Sequence, residues 1–153
     1  MVVKLAEFSL DIDRTPEEVW RFMFDLKNVP QWDPGVVEAK KTSEGPLEMV
    51  GATIQTLGEG GSDRGVARVA DFEMYRRLVL TLDRTKGPIR QARLTYTFLP
   101  RGNRTELTRT VEADIAGLWK LLGPIIGPRI QRAVDADSQQ EATKIKACFP
   151  ART

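Results

Sequence analysis

The sequence predicts an α+β fold in which a seven-stranded antiparallel curved sheet surrounds a long C-terminal helix, with two short helices after the first strand. Three observations predict it. A strand-like alternation near the N-terminus runs into a helix-start signal at Thr15-Pro16-Glu17-Glu18. Six further short runs, mostly alternating, are separated by glycine- and proline-containing turns. The chain then ends in an apolar stripe at helical spacing.

Taken in order, Phe8, Leu10 and Ile12 alternate with Ser9 and Asp11 as a half-buried strand does. Thr15 can then cap a helix, Pro16 suits its first position and Glu18 completes a capping box. Val19, Trp20, Phe22, Met23 and Leu26 recur at helical spacing until Asn28-Val29-Pro30. Gln31-Trp32-Asp33-Pro34 has room for a single helical turn, with Trp32 directed inward. Strands are expected at about Val36 to Thr42, Ala52 to Leu57, Val66 to Met74, Leu78 to Asp83, Arg90 to Leu99 and Thr105 to Ile115. The turns between them include Gly45-Pro46, Lys86-Gly87-Pro88 and Arg101-Gly102-Asn103, and consecutive short turns imply an antiparallel meander with one covered face. The glycine-dense stretch from Gly58 to Gly65 lacks a Gly-Lys-Ser/Thr ending and a following helix, so it reads as a hairpin turn and not as a phosphate loop. After Ile115 the pattern is helical, interrupted at Gly123-Pro124 and Gly127-Pro128, with the final helix running from there to about Cys148. Ile130, Val134, Ser138, Ala142, Ile145 and Phe149 form its apolar stripe, while Arg129, Gln131, Arg132, Asp135 and Lys144 face water.

The composition narrows the chemistry. With 153 residues, 41% hydrophobic and 29% charged, the chain fits one domain over residues 1–150 with a short tail at 151–153. Lys and Arg number 23 against 21 Asp and Glu, which gives no electrostatic reason to expect nucleic acid. The stretch from Arg64 to Arg109 carries a local excess of seven positive charges, but they scatter over both strand faces and read as solvated. The absence of histidine removes His-centred acid-base catalysis, His-activated nucleophiles and the common zinc and haem sites. Cys148 alone can form neither an intrachain disulfide nor a cysteine cluster, so neither metal nor cofactor is expected. Met1 to Leu10 alternates and carries Lys4 and Glu7, unlike a signal peptide. Apolar runs fall far short of the roughly 20 residues of a membrane span. The expectation is a cytoplasmic monomer or homodimer without stable membrane insertion.

The order of these elements resembles the helix-grip fold of the START-related superfamily, also called SRPBCC. Thr15-Pro16-Glu17-Glu18-Val19-Trp20, Trp32-Asp33-Pro34 and the Gly51 that opens the third strand are most similar to its polyketide cyclase/dehydrase-like branch. The resemblance spans nearly the whole chain and implies a deep cavity between the curved sheet and the long helix. Across the superfamily such cavities take lipids, sterols, polyketides, plant hormones and other apolar molecules. Its motifs are a helix start and an anchored turn, so they support the fold more than a reaction.

If each strand turns its apolar parity inward, the sheet presents Phe8, Leu10 and Ile12; Val66, Ala70 and Phe72; Leu78, Leu80 and Leu82; Leu94, Tyr96 and Phe98; and Leu107, Val111 and Ala113. Ala70 and Ala113, with Gly123 and Gly127 in the helical segment, leave space that larger residues would fill. The same parity turns Arg68 and Arg109 inward, where a guanidinium needs a carboxylate or an anion. Either could anchor an acidic oxygen of a ligand, or a β-bulge, snorkelling or an internal acid such as Asp71 or Glu73 could account for them. Tyr96, between Leu94 and Phe98, needs a partner for its hydroxyl and could orient a carbonyl. Trp20 and Trp119 read as packing anchors, and Ser138 as a hydroxyl bonded to the preceding turn. The expected ligand-contacting set is Trp32, Arg68, Phe72, Leu80, Tyr96, Phe98, Arg109, Ile126, Ile130 and Val134.

The expected function is binding or transport of a lipid, polyketide or isoprenoid. One alternative is a cyclase, aromatase or dehydratase that polarises a carbonyl with Arg and Tyr. That reading is short of a base, because the inner parity presents no obvious carboxylate and Glu106, Glu112 and Asp114 fall on the outer face. A protein-interaction domain is the other alternative.

Overall fold

A computed structural model describes the backbone of residues 2–83, 91–114 and 117–152, and the side chains of 4–83, 91–113 and 128–152. Strand β1 (Val2–Ile12) leads into helix α1 (Pro16–Met23), a 3-10 turn (Leu26–Asn28) and the single turn α2 (Val29–Trp32). Strands β2 (Glu38–Lys41), β3 (Thr53–Leu57), β4 (Asp63–Glu73), β5 (Arg77–Asp83), β6 (Gln91–Arg101) and β7 (Arg104–Asp114) follow, and helix α3 (Gly117–Cys148) closes the chain. The seven strands form one antiparallel sheet in the order β1-β7-β6-β5-β4-β3-β2. This is the helix-grip arrangement: a curved sheet wrapped on a long helix.

Local chemistry sets the entry to α1. The Thr15 hydroxyl accepts from the Glu18 amide at 3.3 Å while a Glu18 carboxylate oxygen accepts from the Thr15 amide at 2.8 Å, a complete capping box. The helix then buries Val19, Trp20 and Met23. Trp20 meets Phe24 and Phe98 at ring separations of 5.0 and 5.4 Å. With Ile12, Leu107 and Ile145 these residues fill the end of the sheet nearest α1. Phe149, stacked edgewise on Phe22 at 5.1 Å, seals that end.

Two expectations need correction. Both Gly-Pro pairs lie within α3, which begins at Gly117 and not near Pro128. A proline costs a helix about 3 kcal/mol and one hydrogen bond, a finite penalty that need not terminate it. The second correction concerns β4. Its pairing with β5 slips at Ala70, between Val69 and Asp71, and this bulge adds one residue to the strand. Upstream of the slip the buried parity is therefore Gly65, Ala67 and Val69, while Val66 and Arg68 face solvent. Further bulges at Leu5 in β1 and Arg64 in β4 add to the bending of the sheet. The turn expected at Lys86-Gly87-Pro88 and the side chains of Trp119, Gly123, Ile126 and Gly127 lie outside the described residues.

Candidate functional site: a pocket between sheet and helix

Between the end packed by Trp20 and Ile145 and the place where Gln131 and Val134 of α3 meet β1, a pocket of about 380 Å³ lies between sheet and helix. Ala67 and Val69 of β4, Leu78 and Leu80 of β5, and Leu94 of β6 form its floor. Val134 of α3 covers it, and the buried Trp32 and Val36 also line it. The space follows from small inward residues, namely Gly65 and Ala67 in β4 and Ala92 in β6. Ala70, which sits in the bulge, and Ala113, which packs with Leu5, Ala6 and Val111, are not among the lining residues.

Sheet register brings the polar groups together. Phe8 of β1, Arg109 of β7, Tyr96 of β6, Leu78 of β5 and Phe72 of β4 stand opposite one another in a single row across five strands. Arg109 is 4% exposed, with its guanidinium 5.0 Å from the centre of the Phe8 ring. Its Nη1 forms an ion pair with Glu141 of α3, itself 2% exposed. The Tyr96 hydroxyl donates to the other oxygen of the same carboxylate at 3.1 Å. Burial pushes the Tyr96 hydroxyl pKa well above its ordinary value, with the charge of Arg109 pulling it partly back, so the phenol stays protonated. One helical carboxylate thus satisfies both the cation and the phenol that the sheet turns inward, while Arg109 Nε is buried without a partner.

Asp33 supplies the other unusual group. The Trp32 indole donates to the Met23 carbonyl at 3.0 Å, and the Asp33 amide donates to the Val29 carbonyl at 2.8 Å, which fixes the short turn beneath the sheet. The Asp33 carboxyl is thereby held at the pocket wall, where among the described residues it has no hydrogen-bond or ion-pair partner. Burial first, and the neighbouring Asp137 of α3 second, push its pKa up to about 6, against the opposing pull of Arg64, Arg109 and Lys144. The exposed Arg64 lines the pocket and lies against Gly35. That glycine has φ +77°, a conformation that favours glycine, whereas the guanidinium, 2.7 Å from where a Cβ would lie, is the end of a flexible side chain that can shift.

Of the residues expected to contact a ligand, Trp32, Leu80, Tyr96, Arg109 and Val134 line the pocket. Arg68 does not, because the Ala70 bulge turns it to solvent. Phe72 and Phe98 belong to the packed core, Ile130 is half-buried away from the pocket wall, and Ile126 lies outside the described side chains. The carboxylates missing from the inner strand parity come from elsewhere: Glu141 from the helix and Asp33 from the turn. Ser138 is buried on the sheet-facing side of α3. Among the described residues no helix is long and apolar enough to cross a membrane, and no three His, Cys, Asp or Glu side chains group as metal ligands.

Solved structures share this architecture. A START superfamily protein from Mycobacterium smegmatis superposes with a TM-score of 0.72 at 12% identity, covering 97% of this chain and 96% of that one. Ara h 8.0201 gives 0.73 at 10% identity, with 96% and 97% covered. The di-domain ARO/CYC StfQ from the steffimycin biosynthetic pathway gives 0.70 at 15% identity, and the match spans 96% of this chain but 50% of StfQ. At such identities the likeness is one of fold alone. A search of curated proteins finds no significant match. Residues 6–149, nearly the whole of the fold just described, match the family of polyketide cyclase / dehydrase and lipid transport proteins, and the chain belongs to that family.

Proposed function

We propose that the protein binds and carries a hydrophobic small molecule of the lipid, polyketide or isoprenoid class in the pocket between the sheet and α3. The observation that carries this reading is the space itself: about 380 Å³, walled largely by aliphatic and aromatic side chains, in the volume range of small-molecule sites. The polar groups support binding more than turnover, since the Arg109 and Tyr96 donors that would polarise a carbonyl are engaged by Glu141. Extraction of the purified protein followed by mass spectrometry should release an apolar molecule. Ala67→Phe, which places a ring in the pocket, should weaken binding of a neutral apolar dye by at least about tenfold while the protein stays folded, since overpacking costs about 1–3 kcal/mol. A folded Ala67→Phe protein that binds the dye as tightly as the parent would refute the pocket as the binding site.

A cyclase- or aromatase-type reaction is a second reading, favoured by one observation. Asp33 has a pKa of about 6 beside an apolar pocket, which suits a general base taking a proton from carbon next to a ketone. Incubation with a synthetic poly-β-ketone thioester tests it: cyclised product formed by the parent and not by Asp33→Asn supports the reading, and equal product from both removes Asp33 from any mechanism.

A further inference from the structure

We infer that this pocket selects uncharged amphiphiles, bearing a hydroxyl or carbonyl as their polar group, and rejects carboxylates, with Glu141 as the specificity-determining residue. The inference rests on the binding role proposed above and specifies its ligand class.

An inward arginine in an apolar pocket suggests at first a counter-ion for an acidic ligand. Here that place is taken. Glu141 reaches down from α3 to pair with Arg109 Nη1, and its other oxygen receives the Tyr96 proton. The three side chains are almost fully buried, so the pair is shielded from water and not readily exchanged. A ligand carboxylate entering beside them would add a second negative charge to a site whose positive charge is already balanced. At that pair it would gain only the unpartnered Arg109 Nε–H, on a guanidinium already neutralised by Glu141, in return for its lost hydration.

The remainder of the wall adds to the effect. Asp33, Asp83 and Asp137 also line the pocket, and the exposed Arg64 is the other lining cation among the described residues. Among the described lining residues acids therefore outnumber cations, which is unfavourable to anions. A hydroxyl-bearing ligand meets no such penalty, because it can donate to the unpartnered Asp33 carboxylate while its apolar body covers Leu80, Leu94 and Val134.

Displacement of the neutral dye N-phenylnaphthylamine from the full chain at about pH 7.5 tests this with two matched pairs: dodecanol against dodecanoate, and naphthol against naphthoate. In each pair the uncharged member should displace the dye at a concentration at least about tenfold lower. Equal potency, or a stronger acid, would overturn the inference and leave the binding role intact. Failure of the dye and all four compounds to bind would remove the binding role and the inference together. In Glu141→Gln, which keeps an acceptor for Tyr96 but frees the charge of Arg109, the disadvantage of the acids should shrink by about tenfold or more with little change for the alcohols. An unchanged ratio in a Glu141→Gln protein with a normal melting transition would show that Glu141 does not set the preference. Should that variant not fold, the ratio in the parent protein still decides whether carboxylates are rejected.

Discussion

Glu141→Ala is expected to lower the stability of the protein by about 3–5 kcal/mol, read as a large fall in the urea midpoint. The substitution removes one of two buried partners and leaves the other charged. Arg109, at 4% exposure, then keeps a guanidinium without a counter-ion, and the Tyr96 hydroxyl, at 1% exposure, loses its acceptor. The Phe8 ring beside Arg109 offsets only a small part of this. Glu141→Gln should cost less, because the amide oxygen still accepts from Tyr96.

The paired substitution Arg109→Met with Glu141→Leu should restore most of the loss. A buried ion pair repays its own desolvation poorly, and apolar residues of similar volume commonly replace it at little cost. The two single changes and the double change form a cycle whose coupling energy isolates the pair. A Glu141→Ala protein that unfolds at the parent midpoint would mean that water reaches Arg109 freely and that the pair has no structural weight. Recovery of stability in the double variant would place the reason for the pair in ligand choice and not in folding, since an apolar pocket without it would be equally stable and less selective.

The row of side chains that holds this pair is readable from the sequence up to its last member. Alternation in β6 and β7 is regular over eleven residues each, so Leu94, Tyr96 and Phe98, and Leu107, Arg109 and Val111, can be assigned to the inner face without knowing the partner strands. The same reasoning fails in β4, where Val66, Arg68 and Ala70 alternate as plausibly as Ala67 and Val69. Only the pairing with β5 reveals the extra residue at Ala70. Glu141 carried a signal that composition obscured. Val134, Ser138, Glu141, Ile145 and Cys148 follow steps of four, three, four and three, and a charged residue on that stripe is more buried than the neighbouring Ala142, which fits the period less well. Asp33 had none. Its sequence context specifies a turn, and only the docking of that turn beneath the sheet, beside Asp137 and the pocket, makes its carboxyl unusual.

Asp33→Asn is expected to raise stability at neutral pH by about 2–3 kcal/mol, on the basis of 1.36 kcal/mol for each unit by which the folded pKa departs from the unfolded one. The folded value is about 6 against an ordinary 3.8, so the native state holds the Asp33 proton where the unfolded chain has released it. The direction follows from linkage: this group favours the native state fully below about pH 4, the advantage is lost as pH rises through about 6, and the cost is constant above that. Asparagine carries no such charge. The parent and variant should therefore be nearly equal in stability at about pH 4 and diverge toward pH 7 in urea titrations. Parallel stability curves across that window would show that Asp33 is solvated and titrates normally. Ligand binding offers a second readout. An uncharged guest that covers Asp33 removes the water still reaching its carboxyl and raises the energy of the ionised form further. Affinity for the neutral dye should then increase as pH falls through about 6 in the parent and stay level in Asp33→Asn, because the variant has no proton to take up at that position.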